Sequence, residues 1–285
     1  MNSKKATVPA RFFLSEGRIR RVFLMKIYFS TIADFVYDEN GFSDSYKTVD
    51  TAFSEGTGIE LTEVCLSEEM DRRPQYLTAF LEEKARLVPD VILHAPYNEL
   101  TPAAIEPAVY RLTRTYLHEA YLLAEKVGAK KMVVHSGNVP TTYYPEWFID
   151  RSIAFWKEFL RDHPGEITLC YENMLDTGPE SMKAVLDGVQ DERFQFCFDM
   201  GHALVNTNVE AVDAWIDGWG KDISHVHVHN NYGVHDNHNV PGDGLLNVEK
   251  VLQRILSHNP QATATVECTD IEGSVLWMKE HGFLK

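Results

Sequence analysis

Residues 223–243, ISHVHVHNNYGVHDNHNVPGD, hold five of the chain's twelve histidines within fourteen positions, interleaved with Asp236 and several asparagines. Asp236 and His238 stand two apart in what reads as a loop, and His227 lies shortly before them. Imidazole and carboxylate at that spacing, with no cysteine among them, form a nitrogen and oxygen ligand set. Such a set suits a catalytic cation with an exchangeable position better than a closed structural zinc. Taken by itself the stretch could equally be a solvated, histidine-rich loop, so the rest of the chain must decide.

The elements that would position these residues follow from periodicity. Ile223, His225, His227 and His229 share one parity while Val226 and Val228 hold the other, which predicts a strand over 223–229. Similar β-rich runs occupy 26–31, 58–64, 90–95, 131–136, 167–173, 194–200 and 263–268. Between them lie segments with helical spacing at 71–87, 103–128, 145–162, 179–189, 208–219, 247–258 and 271–281, with Pro and Gly mainly at the junctions. Eight strand–helix units predict an α/β chain folded as a (β/α)8 barrel, a TIM barrel with eight parallel strands. An open doubly wound sheet is the alternative architecture.

The barrel gives a reason for what interrupts the strands. His94, His135, Glu172, Asp199, His227 and Glu267 all fall at strand C-terminal ends, which converge on one face of a barrel, the face that carries active sites. His202 follows Asp199 by three residues, and Asp236 and His238 follow the seventh strand. Nine metal-competent side chains are thereby expected around one axis.

Composition narrows the setting. The chain has 285 residues, 44% of them hydrophobic, and a formal net charge of −15, which works against a phosphate-backbone partner. No apolar run approaches the length of a membrane span. The four cysteines form no CxxC motif and sit in or beside apolar runs, the usage of reduced core thiols, so a cytoplasmic location is expected. Residues 1–24 are basic in an acidic chain and lack the apolar core of a secretory signal. They read as an extension outside the fold, with a single barrel domain over 25–285.

Several motifs carry a family resemblance: His94-Ala-Pro-Tyr97, His135-Ser-Gly137, Glu172-Asn173, Asp199-Met-Gly-His202, His227-Val-His-Asn230, Asp236-Asn-His238 and Glu267. In their order and strand placement they resemble the metal motifs of the xylose-isomerase-like TIM-barrel superfamily, which includes sugar and sugar-phosphate isomerases and epimerases as well as endonuclease IV (AP endonuclease family 2). The resemblance runs from about Met25 to the C-terminus. It implies a central site of Glu172, Asp199, His227 and Glu267, whose three carboxylates and one imidazole suit Mn²⁺, Mg²⁺ or Co²⁺ as well as Zn²⁺. It further implies one flanking site from His94 and His135 sharing Glu172, and another from His202, Asp236 and His238. One to three divalent ions, Zn²⁺ and/or Mn²⁺, are expected in each chain. Tyr97, Asn173, His229 and Asn230 are the candidate substrate contacts, His225 is assigned to the barrel interior and His235 to a loop.

Two chemistries follow from the resemblance. In a metal-dependent isomerase or epimerase of small sugars or sugar phosphates, Glu172 and Glu267 are the catalytic pair that removes and returns a proton beside a chelated carbonyl. The alternative is a zinc-dependent phosphoesterase of endonuclease IV type with a trinuclear centre. The nine ligands favour the second; the charge of −15 and the absence of basic DNA-binding loops favour the first. The loop after His227 departs from ketose epimerases in lacking a substrate-holding arginine. A non-catalytic sugar-binding or metal-storing barrel is a third, weaker reading.

Overall fold

Successive side chains of a strand point to opposite faces, so a strand in a closed barrel sends alternate residues to the helices and to the barrel axis. The outward set here is apolar. Ile27 and Phe29, Ile59 and Leu61, Leu169 and Tyr171, and Val226 and Val228 are buried in one core together with the helices. The inward set is mixed. Tyr28, Ile92, Val133, Cys170 and Cys197 form a separate buried cluster, and most of the remaining inward positions are polar.

This computed structural model describes residues 10–15, 18–23, 25–34, 45–72 and 74–285. Eight parallel strands close into a barrel: β1 (Lys26–Ser30), β2 (Gly58–Leu61), β3 (Val91–His94), β4 (Lys131–His135), β5 (Thr168–Glu172), β6 (Phe194–Asp199), β7 (Ile223–Val228) and β8 (Thr263–Val266). Each strand pairs with its neighbour in sequence, and β8 closes the ring on β1 with Thr263 opposite Lys26. The chain is thus an eight-stranded TIM barrel, as the alternation of strand and helix patterns predicts. Of residues 1–24, Ala10–Ser15 and Arg18–Phe23 pair antiparallel as a two-stranded sheet separate from the barrel, while 1–9, 16, 17 and 24 lie outside the described residues.

The helices are α1 (Lys47–Glu55), α2 (Ser67–Arg72), α3 (Pro74–Arg86), α4 (Pro107–Val127), α5 (Pro145–Asp162), α6 (Glu180–Val189), α7 (Met200–Asn206), α8 (Val209–Trp219), α9 (Val248–His258) and α10 (Ile271–Glu280). The single helix expected over 71–87 is two. Pro74 has no N–H to donate to the preceding turn and instead opens α3, a position proline favours. Two further helices, α1 and α7, were not expected from periodicity. No described helix is long and apolar enough to cross a membrane, and the four cysteines are free thiols.

One buried ionic group braces the loops at the C-terminal ends of β1 and β2. Lys84 of α3 places its ammonium 2.9 Å from Glu63 Oε1 and 3.3 Å from Asp34 Oδ2, and Thr31 Oγ1 donates to Glu63 Oε2 at 2.9 Å. Burial works to lower the Lys84 pKa, but Glu63 and Asp34 outweigh it and raise it, so the ammonium stays charged. Thr31 also bonds the backbone N–H of Thr62, which fixes the wall from which Ile32 and Thr62 face the site.

Candidate metal centre

Strand register sets the ligands side by side. His135 pairs with Glu172 across β4 and β5, and Asp199 with His227 across β6 and β7. Glu172 is the hub. Its Oε2 lies 3.3 Å from the Nε2 of both His94 and His135, and its Oε1 lies 3.1 Å from His227 Nδ1 and 3.3 Å from His202 Nδ1. His227 Nδ1 is also 3.4 Å from Glu267 Oε2 and 3.6 Å from Asp199 Oδ2. Four side chains from β5, β6, β7 and the end of β8 therefore face one point. Asp199 is both the last residue of β6 and the N-cap of α7: its Oδ1 accepts the His202 backbone N–H at 2.6 Å, which locks the carboxylate and sets His202 beside it.

The loop after β7 adds a third group. Asp236 Oδ2 lies 3.2 Å from His202 Nε2 and 3.1 Å from His238 Nε2. His238 adopts a left-handed backbone, φ 49°, a conformation that non-glycine residues hold mainly where the surroundings enforce it. His229 belongs here as well. It is fully buried, its Nε2 lies 3.0 Å from Asp199 Oδ2, and its ring stacks on His238 with centroids 4.2 Å apart. A Cβ on Gly201 would stand 2.0 Å from the His229 ring, so the glycine of the Asp-Met-Gly-His motif makes room for that imidazole.

The donor set fits divalent cations, and hydrogen bonding shows why. The Nδ1 atoms of His94, His202 and His238 lie 2.9, 2.9 and 2.7 Å from the backbone carbonyls of Ala95, Asn173 and Glu267. A carbonyl only accepts, so these Nδ1 atoms carry protons and a neutral ring presents the Nε2 lone pair. In each case that lone pair faces a carboxylate oxygen. Two lone pairs at such distances repel unless a cation lies between them, a metal ion or a proton. Ligands about 2.1 Å from a tetrahedral ion stand about 3.4 Å apart, close to the separations seen here. Glu172 Oε2 and His229 Nδ1 are buried with no hydrogen-bond partner, which is what unfilled ligand atoms look like. Without metal, burial works to lower all three, but Cys65 and then Glu172 raise His94, and Asp199 with Asp236 raises His202, well above the usual imidazole range, while Asp236 and Glu267 raise His238 to about 9.

Metal uptake should therefore displace protons. Titrating metal-free protein at pH 7 is expected to release protons and to give more than one bound equivalent. His94→Ala and His238→Ala should each lower that count while the central ion remains. Elemental analysis and a pH-stat measure both; one equivalent that neither substitution changes would reduce these histidines to structural roles.

Above the ligands lies a cavity of about 360 Å³ lined by His94, His135, Glu172, His202, Asp236, His238 and Glu267 and walled by Ile32, Leu66, Tyr97 and Met174 among others. Among the described residues that line it, none is lysine or arginine. The two catalytic candidates differ in their surroundings. Burial works to raise Glu172, but His227 and His135 outweigh it and hold the carboxyl well below its usual range. Burial raises Glu267; His227 opposes this without reversing it, and the charge of Glu60 adds to it.

The substrate contacts expected from sequence divide. Tyr97 lines the cavity and stacks on His135, with centroids 4.1 Å apart. Asn173 does not line it: its amide clasps the Asp199 backbone, donating to the carbonyl and accepting from the N–H, both at 2.9 Å. Asn230 is likewise spent on backbone, donating to Pro241 and Leu246 carbonyls and accepting from Leu246 N–H. His229 is packed among ligands rather than facing the cavity. His225 lies in the barrel interior and His235 is exposed. Two neighbours of the site escaped sequence reasoning. Cys65 lines the cavity, 3.3 Å from His94 Nδ1, and Glu60 of β2 lies beneath it, 3.2 Å from His227 Nε2. The signal for Glu60 was a lone charge between Ile59 and Leu61.

Comparison with known proteins bears on the fold and the family. An uncharacterised protein of Methanocaldococcus jannaschii is 26% identical over 213 residues, 71% of this chain and 72% of its own. A probable endonuclease 4 of Oceanobacillus iheyensis is 29% identical over 197 residues, 62% of this chain and 65% of its own. The crystal structure of a D-tagatose 3-epimerase-like protein superposes with a TM-score of 0.71 at 24% identity, covering 90% of this chain and 97% of that one. The family model described as Xylose isomerase-like TIM barrel matches residues 55–285, and the chain belongs to that family.

Proposed function

We propose that the protein is a metal-dependent isomerase or epimerase of a small sugar or sugar phosphate, moving a proton at a carbon next to a carbonyl. The observation that carries this reading is the cavity. Its volume of about 360 Å³ falls at the small-ligand end of the usual range, and most of its polar wall is drawn from the ligand set. A divalent cation held by Glu172, Asp199, His227 and Glu267 supplies Lewis acidity toward a substrate oxygen. The chain's own residues supply the rest. Glu172 and Glu267 enter from β5 and the end of β8, so that one removes the proton and the other returns it. Burial holds Glu267 above the usual carboxylate range against the pull of His227, which suits it to giving and taking a proton better than Glu172, held well below that range. Tyr97, Leu66 and Met174 exclude water around the reacting carbon. The epimerase-like structural neighbour accords with this reading.

One observation favours a second reading, hydrolysis of a phosphate ester. Ten ligand-type side chains, His229 included, exceed what one cation needs, and Glu172 touches two groups at once. A relative of this chain is named a probable endonuclease 4. Isotopes separate the two. In deuterium oxide, a panel of ketoses and ketose phosphates should include one that takes up deuterium beside its carbonyl, followed by NMR. If ¹⁸O from water instead enters phosphate released from an ester, with no carbon-bound exchange, hydrolysis is the activity.

A further inference from the structure

Beneath the ligand layer, the barrel interior contains a charge that coordination does not require. Glu60 is fully buried at an inward position of β2, on the face that Tyr28, Ile92, Val133, Cys170 and Cys197 line elsewhere. A leucine or methionine would fill that space without the desolvation cost of a carboxylate. Its two oxygens have different surroundings. Oε2 accepts a hydrogen bond from Thr265 Oγ1 at 2.5 Å and lies 3.4 Å from His225 Nε2. Oε1 lies 3.2 Å from His227 Nε2; both atoms are buried, and neither has a hydrogen-bond partner among the described residues.

The layer that holds Glu60 is itself anchored. His225 contacts Thr265 Oγ1 through Nε2 at 2.9 Å and Thr263 Oγ1 through Nδ1 at 2.6 Å. Lys131 donates to Thr263 Oγ1 at 2.8 Å and to the Ser224 carbonyl at 2.9 Å. Glu60 is thus fixed from below and faces upward at one ring only. That ring has its other nitrogen, Nδ1, among the oxygens of Glu172, Glu267 and Asp199. Unlike at His94, His202 and His238, among the described residues no backbone carbonyl accepts from either nitrogen of His227 to choose its tautomer.

We propose that Glu60 is a positioning residue that makes this choice. Its carboxylate holds the His227 proton on Nε2 and so commits the Nδ1 lone pair to the central cation, acting through the histidine as outer carboxylates do in other metal sites. The inference rests on the metal-centre reading and is independent of which reaction the centre performs.

The test compares wild type, Glu60→Gln and Thr265→Val, all stripped with chelator. Mn²⁺ is the probe, since the three-carboxylate central set takes it more readily than the nitrogen-rich flanking sets. Binding is followed by the loss of the free Mn²⁺ EPR signal. Glu60→Gln should bind Mn²⁺ about 10–100-fold more weakly, and Thr265→Val should weaken it by a smaller factor. ¹⁵N-histidine NMR of the Zn²⁺-loaded proteins supplies a readout that packing does not mimic: His227 should be protonated only at Nε2 in wild type and lose that fixed pattern in Glu60→Gln. Wild-type affinity and an unchanged His227 pattern in Glu60→Gln would overturn the proposal and leave the metal centre standing. A wild-type protein that binds no divalent cation would overturn both. If Glu60→Gln does not fold, wild-type affinity in Thr265→Val overturns the proposal by itself.

Discussion

If the proposed isomerase reading holds, Glu267→Gln is expected to lower turnover by about 10²–10⁴-fold, the usual loss of a general acid or base, while metal content stays close to wild type. The amide keeps an oxygen for the cation but can no longer exchange a proton with substrate carbon. It also leaves the local backbone intact, because the Glu267 N–H still donates to the Val228 carbonyl and its own carbonyl still accepts from His238 Nδ1. Turnover and elemental analysis on one preparation check this. If activity falls only in proportion to lost metal, Glu267 is a ligand alone and the phosphoesterase reading gains.

Glu172→Ala has the larger structural effect. No other described carboxylate approaches His94, His135, His202 and His227 together. Its removal is expected to cost more than one equivalent of metal and to bring activity below detection. His238→Ala is the matched control and should cost one equivalent at most. Glu172→Gln keeps the shape but removes the charge, so it should retain the fold and bind metal weakly. Circular dichroism with metal analysis distinguishes a folded, metal-poor protein from a collapsed one. Wild-type stoichiometry in Glu172→Ala would show that no cation depends on this carboxylate.

The barrel was legible because its strands are apolar on the helix-facing parity and break to His, Asp or Glu at one end, a pattern that survives without coordinates. The flanking loop was legible from the spacing of Asp236 and His238. Other features depended on three-dimensional direction. Asn173 and Asn230 adjoin ligands in sequence and carry amides suited to substrate, yet buried backbone near them needs partners and takes both amides. His229 shares parity with His227 but lies past the end of β7 at Val228, where its ring turns toward Asp199. Glu60 was missed because one charge in a short apolar strand is equally consistent with a strand edge facing solvent. Only barrel closure places it inside.

That closure also orders events during synthesis. β8 pairs with β7 on one side and β1 on the other, and it is the last strand to leave the ribosome. Until then β1 and β7 present open edges, which invite intermolecular pairing. Eight of the nine ligands expected from sequence have already been translated, but Glu267 has not. A nascent chain can gather histidines around Glu172 yet lacks the fourth side of the central set. On the metal-centre reading, the complete central set exists only in a chain translated past its eighth strand.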